Sequence, residues 1–473
     1  MKTVIYIVGY LLFPALLYAQ SPAPAAPAVN PFLSLNPSED ALKPEATGSP
    51  EHAQRAERPE QRKRPEQAER IEKTAKPAAA ESIGHLEKSS LEDNGDDDPV
   101  KSKVFSSSFA LDGNDKVQVS NQFGSITVKT WDKNEVKYDA DIKAYALTDA
   151  AAQELLNAVS IETSKNGDLA SFKTIIQQKR GLNNFGRGTK NGVKWRREIK
   201  INIIIYLPAN RALTASQSYG NITMDDFSGP TALKVQYGNL IAGNLNHTNN
   251  NINIQYGKAE LKNVNQANIK HQYGEGLSLL SANNLELDAQ YASATIGTIR
   301  HHAQIKQQYG KGLNLTSVND LDLESQYAPA IIGTIRHQAQ IKQQYGKGLT
   351  IANAGSLSLT AQYTPVKIDR LGGTLTGSLQ YGKLNVAGID DATKILNIVA
   401  TYTDVDLAFA QNYNGTFQLT TQYGGFSYGS RIHAKSDGDA SRSRTSKSYS
   451  GQIGNGGAAQ VNVNAQYGSV RMN

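Results

Sequence analysis

The chain has 473 residues, no cysteine, 22 tyrosines, 40 glycines and a formal net charge of +6 at pH 7. Without cysteine there is no disulfide, no thiolate metal site and no cysteine-linked lipid. The length allows two or three domains, and so modest a charge gives no cause to expect a nucleic-acid partner.

The first residues, MKTVIYIVGYLLFPALLYAQ, place one Lys before an apolar run over residues 4–18 and a small residue at Ala19. This is the pattern of a secretory signal peptide over residues 1–19, cut between Ala19 and Gln20. An uncleaved anchor is the alternative, although the run is short for a membrane span. Residues 20–103 are rich in Pro, Ala, Glu, Lys and Arg, as in PEQRKRPEQAERIEKTAKPAAA. Such a stretch buries too little apolar surface to offset its ordering entropy and reads as a disordered charged tether. Its acidic run (Glu92, Asp93, Asp96, Asp97, Asp98) lacks the alternating ligands and distal Glu of a calcium loop and reads as a solvated charge run.

Residues 104–210 read as a β-rich capping region with one short helix. VQVSNQFGSITVKTW alternates apolar and polar residues across a central Gly, which predicts two strands meeting at a tight bend. TDAAAQELLNAV, residues 148–159, carries a Thr cap and apolar helical spacing, and predicts the helix. The strand-like runs SFKTIIQQ and IKINIIIYLP flank a basic Gly-rich loop over residues 180–197 with Arg187, Lys190, Lys194, Arg196 and Arg197. That loop is either a solvated hairpin or a contact for an acidic glycan or lipid head group.

From residue 211 to 473 the chain is periodic. Tyrosines fall at 219, 237, 256, 273, 291, 309, 327, 345, 363 and 381, in steps of 17 to 19, and Gln precedes nine of them. A repeat this short cannot form its own core and must stack on its neighbours. LELDAQY and LDLESQY alternate as strands do, and the Gly or Ala after each Tyr is expected to mark the turn. A longer period overlies the short one: IKQQYGKGL occurs at 305–313 and again, 36 residues later, at 341–349. Three positions before the tyrosines stand Lys270, Asp288, Lys306, Glu324 and Lys342. With an 18-residue coil these stack with alternating sign at the strand separation of about 4.8 Å; with a 36-residue coil like charges oppose. Opposite pairs contribute roughly 0.2–1 kcal/mol each and like pairs destabilise, so the 18-residue coil is expected. The column Ala267, Leu285, Ala303, Leu321, Ala339, Leu357 alternates small and large, as adjacent layers filling one narrow core require.

The Gln–Tyr column is the strongest feature. Stacked amides and rings are structural in a solenoid, whereas exposed rings could alternatively stack on sugars. His301 and His337 are equivalent positions two coils apart, roughly 9–10 Å, too far to share a zinc that each must approach to about 2 Å. Lyases and pectin hydrolases on β-helices need clustered carboxylates, and Asp288 and Glu324 are interleaved with Lys306 and Lys342. No catalytic, cofactor-binding or metal-binding residue is assigned, and no cofactor is expected.

With SNQFGSITVKTW at its head, INIIIYLPANRALTASQSYGNITM in its middle and YSGQIGNGGAAQVNVNAQYGSVRM at its close, the chain from residue 104 on resembles the bacterial putative-adhesin family of exported β-solenoid proteins. The resemblance implies an exported, envelope-associated solenoid and supplies no catalytic residues to carry over. The charged tether and the insertion SRIHAKSDGDASRSRTSKSYSG depart from the family pattern, the latter expected as a loop near the terminal coil.

The expectation is an all-β, single-stranded β-solenoid, non-enzymatic and adhesin-like, in the periplasm or outer envelope or secreted, offering a repetitive surface to a glycan or protein partner. Membrane association is at most peripheral. A carbohydrate-active β-helix enzyme and a structural envelope spacer are the alternatives.

Overall fold

The structure, a computed structural model, describes residues 99–177, 185–437 and 445–473. The segments expected as signal peptide and, but for its last residues, as tether lie outside the described residues. The rest is a β-solenoid with one short helix.

Each coil runs along one strand to a tyrosine, turns there, and runs along a second strand before bending back. In the coil around Tyr291, residues 285–290 form what is here called face A and residues 294–299 face B. Leu285, Leu287 and Ala289 point inward from face A, and Ala294, Ile296 and Ile299 from face B, all buried. Period-two alternation therefore does what the sequence pattern requires: inward apolar residues fill a core one coil thick, and outward polar ones meet water.

Neighbouring coils pair parallel and in register. Lys270, Asp288, Lys306, Glu324 and Lys342 are successive partners, as are Ala267, Leu285, Ala303, Leu321, Ala339 and Leu357. The 18-residue coil expected from charge alternation is the observed one. Within the charge column the Glu324–Lys342 ion pair closes at 3.2 Å. Lys306→Glu would set three acids in a row; melting at low ionic strength should show a loss of about 1–3 kcal/mol that shrinks in salt. An unchanged melting temperature would mean that the column carries no coupling.

The stack begins earlier than residue 211. Strands β1 (Val100–Ala110), β2 (Lys116–Asn121), β3 (Gly124–Thr130) and β4 (Glu135–Ala146) precede helix α1 (Asp149–Asn157), followed by β5 (Val159–Asn166), β6 (Leu169–Ile176), β7 (Gly186–Lys190) and β8 (Val193–Leu207). β2 and β3 meet at Phe123 and pair parallel with strands Ala212–Ser218 and Gly220–Met224, so they already form a coil. β6 and β5 extend face A beyond it, while β8, β4 and β1 extend face B.

These extra strands close the end of the core. Tyr138 and Phe172 stack at 4.9 Å, with Phe105 edge-on to Tyr138 and Phe109 against Phe172. Thr148 caps α1 by accepting from the Ala151 amide. At the other end of the helix the Lys103 ammonium donates to the Leu156 carbonyl, an acceptor that a helix C-terminus leaves open, and to that of Val159 at the start of β5.

The C-terminal end is not sequential. Strand Ala459–Gln466 lies between Ile395–Phe409 and Gly415–Gln422, parallel to both. Strand Ser446–Ile453 runs antiparallel on the outer side of Gly415–Gln422 and pairs in turn with Ile432–Asp437. The Ser/Arg-rich insertion, expected as a loop, is largely this hairpin. Its position is testable because the chain has no cysteine of its own. Asn397 and Asn462 are register partners joined by a 2.9 Å hydrogen bond. Parallel neighbours about 4.8 Å apart suit a disulfide. Asn397→Cys with Asn462→Cys should oxidise within one chain on a non-reducing gel, whereas Asn397→Cys with Gln418→Cys, two strands apart, should not. The reverse result would restore sequential stacking.

Candidate functional site

Thirteen tyrosines and Phe123 form one continuous ladder along the corner between the faces. Its order is Phe123, Tyr219, Tyr237, Tyr256, Tyr273, Tyr291, Tyr309, Tyr327, Tyr345, Tyr363, Tyr381, Tyr402, Tyr467 and Tyr423. Tyrosine centroids are 4.6 to 5.4 Å apart and the planes lie within 14° of parallel. Sequence reading stopped at Tyr381; Tyr402, Tyr467 and Tyr423 complete the row, carried by the same aromatic-then-turn signal.

At every tyrosine corner the left-handed residue is the tyrosine itself, with φ between 48 and 56°, and not the residue after it; at the Phe123 corner it is Gly124, φ 101°. A non-glycine residue there costs roughly 1–2 kcal/mol. Each ring–ring contact contributes about 0.5–1.5 kcal/mol beyond area burial. The two effects are of the same size, so a neighbouring ring offsets the strain of the corner; Tyr423, at the end of the row, manages with one.

The glycine serves close approach. A Cβ at Gly238 would stand 1.9 Å from Gly220 O, and one at Gly346 would stand 2.2 Å from Gln343 Nε2. This explains the 36-residue repeat on an 18-residue coil. Where the inward residue two before Tyr is large and polar, its side chain folds over the corner: Gln307 donates to Ala292 O and Gln343 to Ala328 O, both at 2.6 Å. Those coils have Gly after Tyr. Coils with Ala289 or Ser325 at the inward position have room for Ala292 or Ala328. His271 follows the large pattern, with Nε2 donating to Gly257 O at 2.9 Å and burial lowering its pKa.

One residue before each Tyr the glutamines hydrogen-bond from coil to coil, from Gln255 to Gln272 to Gln290 and again from Gln308 through Gln326, Gln344 and Gln362 to Gln380. The Gln column is thus structural, as read from sequence. The tyrosines are half-exposed, 42 to 53%. Stacking on sugar rings through their faces is ruled out along the row, because each face is covered by the next ring. What meets solvent is a line of ring edges and hydroxyls, and among the described residues no ladder hydroxyl bonds to another protein group.

Face A also carries a row that sequence reading passed over. Asp320, Asp322 and Glu324 alternate outward on one strand beside His302 and His337. His337 Nδ1 lies 2.7 Å from Asp320 Oδ1, and His302 Nε2 lies 3.6 Å from Asp322 Oδ2. Partial burial pushes the Asp320 carboxyl up, but hydrogen bonds from His337 and Asn319 and the charge of His302 outweigh it and hold it below its usual range. The shallow cleft here has a volume of about 260 Å³. Each acid faces a base, an arrangement that neutralises charge rather than setting two carboxyls across a substrate. His301 and His337 remain two coils apart, and among the described residues no cluster of three or more His, Asp or Glu could hold a metal.

The basic loop is a β7–β8 hairpin turning at Asn191–Gly192; residues 178–184 lie outside the described residues. Arg196 is buried, lies 4.4 Å over the Tyr145 ring and pairs with Glu198 at 3.0 Å. It is a packing residue and cannot reach a ligand.

No helix among the described residues is long and apolar enough to cross a membrane. No family model and no curated protein matches the chain. Solved structures do. One is a putative cell adhesion protein from Clostridium sporogenes, 8% identical over 79% of this chain and 99% of its own, with a TM-score of 0.16. Another is a putative adhesin from Bacteroides fragilis, 13% identical over 64% and 96%, with a TM-score of 0.22. A third is a putative lipid binding protein from Parabacteroides distasonis, 9% identical over 78% and 96%, with a TM-score of 0.17. At such scores the names apply to those proteins and carry no argument here. The chain is a β-solenoid of about 18 residues per coil.

Proposed function

We propose that the chain is a non-enzymatic, exported envelope protein of adhesin-like role, whose solenoid offers the same chemical group at every coil to a polymeric partner. The observation that supports it is the ladder: a rigid line of half-exposed phenols, repeating at 4.6 to 5.4 Å, with hydroxyls free of protein partners. A surface built from identical steps gains by avidity, since each further repeat of a bound polymer engages at high effective concentration. Affinity for a linear glycan should therefore climb steeply with chain length, and the monosaccharide should bind negligibly. Length-independent binding would sink the reading, and new reducing ends or unsaturated uronates in the same mixtures would overturn its non-enzymatic part. Export rests on the first twenty residues, and mass spectrometry of the mature protein should place its N-terminus at or near Gln20.

A further inference from the structure

We infer that face B of the central coils binds a linear acidic polysaccharide bearing one anionic group per disaccharide, a proposal that rests on the polymer-binding reading above. Charge is divided between the faces. Over residues 292–355 the acids are Asp320, Asp322 and Glu324; Asp322 and Glu324 stand on face A, and Asp320 stands at the bend leading into it, paired with His337. The stretches that build the Tyr corners, face B and the bend beyond it, residues 292–300, 310–318, 328–336 and 346–355, contain no acid and four cations: Arg300, Lys311, Arg336 and Lys347.

These cations are available. Lys311, Lys347, Arg300 and Arg336 are exposed. The two arginines touch only neutral groups, Arg300 donating to Asn283 Oδ1 and Arg336 to Ser317 Oγ. Neither lysine has an ion pair among the described residues. On face A the situation is opposite, with Lys342 matched to Glu324. Among the described residues these four cations, which flank face B at the corner and the bend, have no acid partner, unlike Lys367 and Lys383 further along the same face, which pair with Asp369 and Asp406.

Spacing identifies the ligand class. Lys311 and Lys347 occupy equivalent places, two residues past Tyr309 and Tyr345, and Arg300 and Arg336 are likewise equivalent. In each pair the members are two coils apart, about 10 Å along the stack at the strand separation. An extended glycan in which uronate alternates with a neutral sugar repeats its carboxylate at about the same interval, so that successive carboxylates meet successive lysines in charge-assisted hydrogen bonds. A polymer charged on every sugar would leave alternate carboxylates facing Pro329, between the two lysines, and Ser293, one coil before Lys311. The groove has room for rings: beyond Lys347 lies a hollow of about 410 Å³ lined by Leu349, Thr350, Pro365 and Val366 and bounded by Lys383. The line of tyrosine hydroxyls runs along the same edge and can serve the sugar hydroxyls between carboxylates.

The test measures binding of the full-length protein to hyaluronan, which alternates uronate with a neutral sugar, to polygalacturonate, charged on every sugar, and to neutral dextran, all of matched length. Hyaluronan is expected to bind best, with an affinity that falls as salt is raised. Lys311→Glu with Lys347→Glu should weaken it at least tenfold at unchanged melting temperature. Lys116→Glu with Lys234→Glu, the same charge change on exposed face A positions, should not. Equal loss from the face A variant, or a preference for polygalacturonate, would reduce the effect to generic charge attraction and overturn the inference. Tight, length-dependent binding of dextran that ignores the lysine pair would leave the polymer-binding reading standing and remove this one. Binding of none of the three defeats this inference, and with other glycans tested to the same end, the broader reading as well.

Discussion

Tyr138→Ala is expected to cost about 3–5 kcal/mol, the range for emptying a buried aromatic site, and to melt the capping region before the coils. The ring is fully buried, stacked on Phe172 with planes 2° apart, and forms the plug at the end of the core. Tyr138→Phe should be close to neutral, because the hydroxyl it removes is buried with only the Thr174 hydroxyl nearby and makes no well-formed hydrogen bond to it. The same hydroxyl makes the protein sensitive to alkali. Burial pushes the Tyr138 phenol up to about 12, and that of Tyr413 likewise, against about 10 in an unfolded chain. A raised phenol stabilises the fold fully below pH 10, where both states are neutral, and that contribution is lost as pH rises from 10 towards 12, since only the unfolded chain ionises. Two units correspond to about 3 kcal/mol for a fully buried group. Tyr138→Phe should therefore unfold at higher pH than the parent in an alkaline titration followed by circular dichroism. Identical alkaline midpoints would show that Tyr138 is not held neutral by the fold.

Gly346→Ala should cost about 2–4 kcal/mol. The new methyl would displace the Gln343 amide from Ala328 O, adding crowding of about 1–3 kcal/mol to the loss of a buried hydrogen bond worth a similar amount. Gln343→Ala in the same chain should recover part of the loss, because it recreates the small-inward, Ala-after-Tyr pattern seen at Ala289 and Ala292. A double-mutant cycle should return a coupling of at least about 1 kcal/mol. Strict additivity would separate the two positions and leave the 36-residue repeat without a packing cause.

Much of the candidate site was legible because a solenoid turns sequence period into spatial column: residues 18 apart become neighbours, and their chemistry can be compared on paper. The charge column, the Gln column and the ladder through Tyr381 follow from that alone. The sequence points to the Gly or Ala after each Tyr as the turn, since a left-handed tyrosine becomes reasonable only once its ring is seen stacked on its neighbours. The recurrence of Lys311 as Lys347 was visible in IKQQYGKGL, but its isolation from acids was not, because that depends on which face each outward residue occupies.

By itself the sequence determined the coil: its length, its inward and outward positions and its aromatic corner, because every contact that sets them is made with the next coil and repeats. Only the tertiary structure decided how the ends are built. Residues 415–422 and 459–466 both lead into a Gln-Tyr-Gly corner, so either could stack on the coil of Tyr402. The choice of the later segment depends on strand Ser446–Ile453 folding back along the outer edge of residues 415–422 and carrying the chain across to the inner one. At the other end β2 and β3 stack on strands Ala212–Ser218 and Gly220–Met224, across the β4 to β8 part of the cap that lies between them in the chain. Neither pairing has a periodic signal, because each is made once, between segments far apart in the chain. Its cost in loop closure is repaid only by the aromatic plug and the hairpin that cover the open ends of the core.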